Sequence, residues 1–373
     1  MPNPITIFLA GGGTGGHLYP GIAVAQSLVS LNPDIQPVFL CTTREIDKVI
    51  LDPTGFTYIP QPIIPPVRTV AGLLKFWTAW RETKDLVRKL RHQHHPRAVL
   101  GLGGYAAGVA VKYCATHKIP AAVLNPDVIP GKANQYLLRY CQSVCCQFAQ
   151  TAQHVPAAQQ SKLQITGCPI RSDILTLPDR PAATERLGLD PALQTLVITG
   201  ASQGAQTVND AVLASLPQLN LQGWQVLHLA GRDHGEKVRT AYRELNLSAR
   251  VIDFTPAMSD VWAVADLCVS RSGASSCAEL TACGIPSILM PYPFHKDLHQ
   301  RANAKVLADA NAAILLDDQA DSKKNAEKLT PILASLLYDL TRRQAMQSAA
   351  RKLGRPDAAA AVAQVILDML RAG

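Results

Sequence analysis

The chain has 373 residues, a length that favours two domains over one. Hydrophobic residues make up 47% and charged residues 17% of the chain, a balance that excludes a disordered protein and is typical of a globular enzyme. The formal net charge of +8 is concentrated between Arg68 and Arg97, which favours a local anionic surface over nucleic acid as a partner. No stretch reaches the ~18 apolar residues of a membrane span and no basic segment precedes the first apolar run, so we expect a cytoplasmic location without a cleaved signal.

Short apolar runs that predict buried strands recur along the chain, with helical patterns between most of them. The predicted strands lie at 5–10, 37–41, 98–102, 121–124, 163–166, 196–199, 226–229, 251–254, 267–270 and 287–290. Alternating strands and helices predict an α/β protein whose parallel sheets carry helices on both faces. A weak repeat of strand, glycine turn and helix, at Ile7 and again at Leu196, indicates two doubly wound halves.

The first glycine turn lies in the stretch "AGGGTGGHLYPG", where Gly11, Gly13 and Gly16 have the G-x-G-x-x-G spacing of a dinucleotide site. Backbone amides and a helix N-terminus predict a phosphate or diphosphate as its ligand. An NAD-dependent dehydrogenase is disfavoured, because the second strand runs into Thr-Thr-Arg at 42–44, where that fold needs an acidic residue for the ribose. His17 has no role in a dinucleotide site and is the first candidate for chemistry.

Three further glycine turns follow predicted strands: "LGLGGYAAG" from Leu100, "LVITGASQGA" from Leu196 and "VSRSGASSCAE" from Val269. Ligands of open α/β sheets bind at the carboxyl ends of strands, so turns in both halves predict a cleft lined from two sides. The Pro-rich stretch 167–181 predicts the domain boundary, and Gly-Arg-Pro at 354–356 precedes a last helix at 357–370.

The nine cysteines are an odd number, and none form a C-x-x-C pair. Cys141, Cys145 and Cys146 lie near His154 in the sequence, but their spacing matches no zinc motif. We therefore expect buried, reduced thiols, with neither a disulfide nor a metal site.

Six motifs, in order between Ile5 and about Ala304, resemble those of glycosyltransferase family 28. They are "GGGTGGHLYPGIAVA", "GLGGYAAG", "ITGCPIR", "GASQGAQTVN", "SRSGASSCAELTACGIPSILMPYP" and "HKDLHQRANA". The resemblance implies a GT-B architecture, in which two Rossmann-like, doubly wound parallel-sheet domains face a cleft. It also implies inverting transfer without a cofactor or bound metal, and the chain contains no D-x-D carboxylate pair.

The reaction that the resemblance implies moves N-acetylglucosamine (GlcNAc) from the substrate UDP-GlcNAc to undecaprenyl-diphospho-N-acetylmuramyl-pentapeptide, at the cytoplasmic face of the cell membrane. Residues 1–170 would bind this acceptor and contact the membrane, and residues 171–354 would bind the donor. The helix at 355–373 would pack back on the first domain.

The resemblance implies that the "SQG" turn and Arg171 hold the nucleotide diphosphate, that Glu279 accepts the ribose hydroxyls, and that the segment 254–258 packs on uracil. The alternative for Glu279 is a solvated helix carboxylate. The full set of implied donor-binding residues is Thr14, Gly15, Gly16, Asn125, Arg171, Ser202, Gln203, Gly204, Thr255, Ala274, Glu279, and His299 with Gln300 at the sugar hydroxyls.

For the acceptor, the resemblance implies that two glycine turns cradle the lipid-linked diphosphate through Gly13, Gly16, Gly103, Gly104 and Tyr105. His17 would be the general base or a positioning residue, since a histidine with a pKa near ~6.5 suits that task at neutral pH. The alternative is a helix-start histidine that bonds a backbone carbonyl.

The chain departs from the family pattern at one place. Where the family has His-Glu-Gln-Asn, this sequence has Leu124-Asn125-Pro126-Asp127. Asparagine cannot act as a carboxylate base, so either Asp127 takes over the catalytic role or His17 acts alone.

The basic segment begins with "VAGLLKFWTAWRETKDLVRKLRHQ", which brings four apolar side chains together on one helix ahead of a lysine and arginine cluster: Leu73, Phe76, Trp77 and Trp80. Such a composition predicts peripheral contact with an anionic inner-leaflet membrane surface. The alternative is that Leu73, Trp77, Trp80 and Val87 form the buried stripe of an amphipathic helix. Both interpretations hold together if Val87 and Leu90 point inward and the Trp-rich first turns point outward.

Other functions remain open from the residues alone. One is transfer from a UDP-sugar to another lipid acceptor, such as a diacylglycerol. A UDP-GlcNAc 2-epimerase is disfavoured, because two anion-binding turns in the first half suggest a second phosphorylated substrate. A non-catalytic, membrane-binding sugar-nucleotide sensor is the remaining alternative.

Overall fold

A computed structural model describes residues 4–200, 204–294 and 297–372. By internal packing these residues divide into two compact units. The N-terminal unit ends at Arg171 and also includes the C-terminal segment from Pro356, and the C-terminal unit runs from Ser172 to Arg355. Ser202 and Gln203, two of the predicted donor-binding residues, lie outside the described residues.

The N-terminal unit alternates strands with helices. Its elements are β1 (Ile5–Gly11), α1 (Gly15–Leu31), β2 (Ile35–Cys41), α2 (Glu45–Leu51), β3 (Thr57–Pro60), α3 (Val70–His94), β4 (Ala98–Gly103), α4 (Gly104–Thr116), β5 (Ala121–Asn125), α5 (Lys132–Leu137), β6 (Ser143–Cys146), α6 (Ala157–Gln160) and β7 (Leu163–Ile165).

The seven strands of this unit form one parallel sheet in the order β3-β2-β1-β4-β5-β6-β7. Side chains of β1 alternate between two cores: Ile7 and Leu9 pack on the α1 side of the sheet, and Phe8 and Ala10 pack on the α3 and α4 side. This period of two buries both faces of the strand, as the continuous apolar run in the sequence requires.

The C-terminal unit has the same kind of organisation. Its elements are α7 (Ser172–Leu175), α8 (Arg180–Leu187), β8 (Gln194–Thr199), α9 (Gln206–Ser215), β9 (Trp224–Leu229), α10 (Gly235–Glu244), β10 (Arg250–Ile252), α11 (Met258–Val264), β11 (Ala265–Ser270), α12 (Ala274–Cys283), β12 (Ser287–Leu289), α13 (His299–Asp309), β13 (Ala313–Leu315), α14 (Ser322–Tyr338) and α15 (Leu340–Leu353). Six parallel strands pair in the order β10-β9-β8-β11-β12-β13.

The last helix, α16 (Ala358–Ala372), belongs to the N-terminal unit. Its Val362 and Ile366 are fully buried in the same core as Leu18 and Leu28 of α1. Among the described residues, no helix combines the length and the apolar character needed to cross a membrane.

The predicted doubly wound, parallel architecture is confirmed, and each predicted strand coincides with an observed one. Three strands were not predicted: β3, β6 and β13. β3 and β13 are edge strands; β3, Thr-Tyr-Ile-Pro, has no buried residue and β13 has one, so neither shows the burial pattern of an interior strand. β6 is the run Ser-Val-Cys-Cys, and Cys145 and Cys146, which we expected to be buried thiols, are buried because they lie in this strand.

All nine cysteines are among the described residues, eight of them buried and Cys283 half-buried. Burial raises the pKa of the Cys41, Cys114 and Cys146 thiols to about 12. These thiols are therefore protonated at neutral pH and poorly nucleophilic.

Candidate active site

The first glycine turn, between β1 and α1, is built around a buried carboxylate. The Gly13 amide donates hydrogen bonds to Oδ1 and Oδ2 of Asp47 at 2.7 and 2.9 Å. Thr42 donates its amide and its hydroxyl to Asp47 Oδ2 at 2.8 and 2.7 Å. A Cβ at Gly12 would overlap Asp47 Oδ2, so glycine at this position permits the close approach. Asp47 itself is fully buried.

This carboxylate changes which amides of the turn suit a substrate phosphate. The amide of Gly13, assigned from the sequence to the acceptor diphosphate, is engaged by Asp47 and shapes the loop instead. The amides of Thr14, Gly15 and Gly16 stand at the start of α1, where helix geometry provides no intrahelical acceptor and the helix dipole favours an anion. Arg44 donates to the Gly13 carbonyl at 2.8 Å, which adds a cation to the rim of the turn.

His17, in the first turn of α1, packs against the second glycine turn at the junction of β4 and α4. A Cβ at Gly103 would lie 3.1 Å from His17 Cδ2, and a Cβ at Gly104 would lie 3.1 Å from His17 Cε1. Both glycines also have a positive φ, of 102° and 71°, which disfavours any side chain. The two glycine turns therefore meet at the imidazole, as expected for the carboxyl ends of adjacent parallel strands.

The hydrogen bonds of His17 assign its tautomer. Nδ1 lies 3.3 Å from the Gly12 carbonyl oxygen and 3.1 Å from Thr14 Oγ1. Because a carbonyl only accepts, its contact assigns the proton to Nδ1 and leaves Nε2 as the basic nitrogen. Burial lowers the pKa of His17, while the Gly12 bond and the charges of Asp127 and Asp47 oppose that shift. The imidazole is neutral at neutral pH and able to take up a proton.

A cavity of about 590 Å³ opens beside His17 within the N-terminal unit. One part is lined by His17, Asp127 and the turn Gly103–Tyr105, so the structure brings the two candidate catalytic residues to the same cavity. Burial raises the pKa of Tyr105, whose hydroxyl is paired with Thr42. The other part is lined by aromatic side chains of α3 and α5.

Asn125 fixes the backbone of the loop that carries Asp127. The buried Asn125 donates from Nδ2 to the Asp127 carbonyl at 2.7 Å and accepts at Oδ1 from Asn134 Nδ2 at 3.0 Å. Asn134 also donates to the Leu124 carbonyl at 2.9 Å. These bonds give Asn125, which the sequence assigns to the donor, an internal role in shaping the loop that carries Asp127.

The predicted membrane-contact side chains of α3 divide into two groups. Leu73 and Trp77 are exposed, at 46% and 58% of their surface. Phe76 and Trp80 are half-buried and pack against a small core that includes Ala106 and Val109 of α4. The four residues share one face of the helix, at i, i+3, i+4 and i+7, and they differ in exposure because α4 covers only Phe76 and Trp80. Further along the helix Val87 and Leu90 are buried, so the helix combines an inward stripe with partly exposed first turns.

In the C-terminal unit, the turn after β8 approaches the turn after β9 closely. Gly204 has a φ of 75°, and a Cβ there would overlap the Ala230 carbonyl oxygen and lie 2.8 Å from Gly231 Cα. The backbone contact requires glycine. Gly204 is the described member of the predicted diphosphate turn.

A buried ion pair joins the other loops at the same end of this sheet. Arg271, at the end of β11, donates to Asp318 Oδ2 and to Thr207 Oγ1 of α9, both at 2.7 Å, and to the Met290 carbonyl after β12 at 2.9 Å. Burial disfavours the charge on Asp318, but hydrogen bonds from Thr207, Asn325 and Arg271 together lower its pKa. The pair of Arg271 and Asp318 was not predicted. Its only signal in the sequence is an arginine within a segment of apolar and small residues.

The predicted ribose ligand, Glu279 of α12, is half-buried and oriented by an indole. Trp262 Nε1 donates to Glu279 Oε2 at 2.8 Å. Glu279 is therefore not the solvated helix carboxylate of the alternative interpretation. Trp262 is a second residue that sequence reasoning missed. Ala274, also assigned to the donor, is the first residue of the same helix.

The remaining donor candidates lie at loop and helix ends. His299 Nδ1 is 2.7 Å from Asp297 Oδ1, and Gln300 Oε1 accepts from the Tyr292 amide at 2.9 Å. Thr255 Oγ1 accepts from the Ala257 amide at 3.1 Å, which forms the turn before α11. Arg171, the last residue of the first segment of the N-terminal unit, lies over the Tyr19 ring with its guanidinium carbon 5.1 Å from the ring centroid.

Comparison with known families covers most of the chain. Residues 7–146 match the glycosyltransferase family 28 N-terminal domain, and residues 195–362 match the glycosyltransferase family 28 C-terminal domain. The chain belongs to glycosyltransferase family 28.

Relatives within family 28 extend over the whole length. A protein of Listeria monocytogenes serotype 4a (strain HCC23), named UDP-N-acetylglucosamine–N-acetylmuramyl-(pentapeptide) pyrophosphoryl-undecaprenol N-acetylglucosamine transferase, is 32% identical over 98% of this chain and 99% of its own. The crystal structure of Acinetobacter baumannii MurG superposes with a TM-score of 0.76, at 24% identity, over 98% of this chain and 100% of that chain. The UDP-GlcNAc 2-epimerase of Neisseria meningitidis bound to UDP-GlcNAc superposes with a TM-score of 0.66 at 12% identity, over 98% and 100%.

These comparisons confirm the predicted family and the GT-B fold. The epimerase shares that fold, so the fold alone does not distinguish a transferase from an epimerase. In this family 28 glycosyltransferase the candidate site residues form two groups. His17 and Asp127 line a cavity of the N-terminal unit, and polar groups at loop and helix ends lie in the C-terminal unit.

Proposed function

We propose that this family 28 glycosyltransferase transfers GlcNAc, with inversion, from UDP-GlcNAc to undecaprenyl-diphospho-N-acetylmuramyl-pentapeptide. The full-length relative from Listeria, which is named for this reaction, supports the choice of donor and acceptor. The single structural observation that carries it is His17: a neutral imidazole with Nδ1 held by Gly12 and the ring beside two glycine turns and a cavity large enough for a second substrate.

On the acceptor side, the amides of Gly16 and of the turn at Gly103–Gly104 would bind the lipid-linked diphosphate. We move Thr14 and Gly15 from the donor to this group, because their amides stand at the same helix start as that of Gly16. The acceptor hydroxyl would give its proton to His17 Nε2 while its oxygen forms a bond to the anomeric carbon of GlcNAc. The bond from that carbon to the diphosphate breaks in the same displacement, and UDP leaves with the electron pair. Asp127 stabilises the imidazolium that forms.

On the donor side, Glu279, oriented by Trp262, would accept the two ribose hydroxyls, and Gly204 with the residues next to it would hold the diphosphate. Thr255 and Ala274 would contact the nucleotide, and His299 and Gln300 the sugar hydroxyls. The proposed mechanism uses no divalent metal. We therefore expect the reaction to be insensitive to chelators.

We further propose that the protein acts peripherally at the cytoplasmic face of the membrane. The exposed apolar side chains at the start of α3, Leu73, Leu74 and Trp77, precede a run of exposed lysine and arginine on the same helix. Apolar side chains beside basic ones match an anionic bilayer surface, where the lipid-linked acceptor resides.

The test is a product assay with the purified full-length protein. Labelled UDP-GlcNAc is incubated with a short-chain analogue of the lipid-linked acceptor, with and without EDTA, and the lipid product is identified by mass and by the anomeric coupling of the new linkage. A β-linked disaccharide lipid that forms in the presence of EDTA is the expected result. Its absence, together with transfer to diacylglycerol or conversion of UDP-GlcNAc alone to its 2-epimer, would contradict the proposal.

A further inference from the structure

The face of α4 that lines the cavity runs from the glycine turn towards an aromatic cluster. Gly104, Gly108 and Lys112 recur every four residues, which places them on one face of the helix, and all three line the cavity. At a rise of 1.5 Å per residue this face is about 12 Å long. Its first residue lies against His17, so the face leads directly away from the candidate base.

The wall beside this face is aromatic. The Trp80 ring lies against Gly108, where a Cβ would be 3.5 Å from the ring, an ordinary van der Waals contact. The Trp80 centroid is 5.7 Å from that of Phe76, 6.3 Å from that of Trp77 and 6.3 Å from that of Tyr136. These rings form one continuous apolar surface, which we call the aromatic arm of the cavity.

Lys112 organises this arm. Its Nζ lies 5.5 Å from the ring centroids of Tyr136 and Tyr140 and 5.9 Å from that of Trp80. A hydrogen bond with Tyr136 raises the pKa of Lys112, so the ammonium is charged and attracts three ring faces at once. The cation thus fixes the rings as walls, and the surface that they present to the cavity remains apolar.

We propose that the aromatic arm binds the first isoprene units of the polyprenyl carrier, while the attached diphosphate lies at the glycine turns beside His17. The inference rests on the proposed function, whose acceptor joins an anion directly to a branched hydrocarbon chain. The cavity offers the same two groups in the same order: backbone amides suited to an anion at the start of α4, and aromatic rings further along the helix. Trp77, which lines the arm and is also exposed beside Leu73, connects it with the apolar surface of α3.

The other part of the acceptor fits the arm poorly. The muramyl-pentapeptide carries carboxylates and amides, and transferring them from water to a surface of aromatic rings is unfavourable unless each finds a hydrogen-bond partner. Hydrocarbon incurs no such penalty and gains from the area removed from water. The ring surface therefore favours the lipid over the peptide, and the Lys112 ammonium, which also lines the cavity, is already engaged by Tyr136 and the rings around it.

The experiment compares two water-soluble acceptors that carry the same diphospho-muramyl-pentapeptide on different ten-carbon chains, one made of two isoprene units and one straight and saturated. We expect wild-type protein to show a KM about tenfold lower for the isoprenyl acceptor, because its methyl branches and double bonds pack against the ring faces better than a straight chain with the same number of carbon atoms. Trp80→Ala, which removes a wall, and Ala133→Trp, which fills the cavity from α5, are expected to abolish this preference without changing the KM for UDP-GlcNAc.

Ala157→Trp is the matched control, since Ala157 is exposed on α6 and does not line the cavity. It should retain the preference for the isoprenyl chain. A preference that persists in both Trp80→Ala and Ala133→Trp, or a wild-type protein that uses both chains equally, would overturn the inference. Failure of the wild-type protein to glycosylate either acceptor would instead overturn the proposed function.

Discussion

The Gly13 amide and the Asp47 carboxylate form a two-oxygen hydrogen bond, at 2.7 and 2.9 Å, in the interior of the first glycine turn. A turn with this glycine spacing ordinarily directs its amides at the phosphates of a ligand. In this protein the Gly13 amide is bound by the Asp47 carboxylate and not by a ligand phosphate. The shape of the turn is therefore set before any substrate binds, and the substrate anion is left to the amides at the start of α1.

Removing the charge of Asp47 is expected to loosen this turn. Asp47→Asn replaces a carboxylate that accepts from three donor groups, the Gly13 amide and the amide and hydroxyl of Thr42, by an amide whose NH₂ group faces donors. We therefore expect the free energy of unfolding to fall by about 2–3 kcal/mol. Urea denaturation measures the change. Asp34→Asn, an exposed aspartate of the same unit, is the control and should leave stability nearly unchanged; equal stability of the two variants would exclude a structural role for Asp47.

Gly104 and Gly55 provide a matched pair for testing the contact with His17. Both have a φ of 71°, but a Cβ at Gly104 would lie 3.1 Å from His17 Cε1, whereas a Cβ at Gly55 would meet nothing within 4 Å. Alanine at either position should cost about 1–3 kcal/mol of stability through backbone strain. Only Gly104→Ala should also reduce kcat, because it displaces the imidazole. Equal kcat values for the two variants would contradict the proposed position of the base.

The hydrogen bond from Trp262 to Glu279 predicts a defect confined to the donor. Trp262→Phe retains the packing but loses the indole N–H, so we expect the KM for UDP-GlcNAc to rise about fivefold, the equivalent of one hydrogen bond. The KM for the lipid acceptor should not change. Trp224→Phe, at a buried indole that packs under Arg343 in the same unit, is the control. A rise in both KM values for Trp262→Phe would indicate a general loss of structure and contradict a donor-specific role.

Leu73 and Trp77 predict the membrane contact. The double variant Leu73→Ser, Trp77→Ala should weaken binding to vesicles that contain anionic lipid by about tenfold or more, since it removes two exposed apolar anchors. Co-sedimentation measures this change. Leu31→Ser tests whether any exposed leucine has the same effect, because Leu31 is exposed to a similar degree, 51%, at the end of α1. Vesicle binding that is unchanged in the double variant would exclude this face.

Much of the architecture could be predicted because its signals are local. Apolar runs of four to six residues marked the central strands, and ordered motifs at compatible spacing indicated glycosyltransferase family 28. His17 stood out for a local reason as well: a histidine at the start of a helix after a glycine turn has no place in a dinucleotide site.

What could not be predicted joins residues that are distant in sequence. Asp47 lies 34 positions from Gly13, and Arg271 lies 47 positions from Asp318, so nothing in either neighbourhood reveals the pair. The division of α3 had a different cause. Periodicity placed Trp80 beside Trp77 on the helix but could not show that the Trp80 ring packs against Ala106 and Val109 of a separate helix.

The most direct test of the account is the pH dependence of GlcNAc transfer to the lipid-linked acceptor, measured as kcat/KM for wild-type protein, His17→Gln and Asp127→Asn. Burial lowers the pKa of His17. The imidazole therefore stays neutral, and active as a base, at pH values below the ordinary pKa of histidine. We therefore predict an acid limb with a midpoint below about 6.5 in the wild type. The midpoint should lie lower still in Asp127→Asn, since the carboxylate favours the protonated ring.

His17→Gln should lose about 10²–10⁴ in rate together with this limb. We expect the wild-type protein to form the disaccharide lipid, the acid limb to move to lower pH in Asp127→Asn, and the limb to disappear in His17→Gln. An acid limb that is unchanged in His17→Gln, or a wild-type protein that forms no disaccharide lipid at any pH, would contradict it.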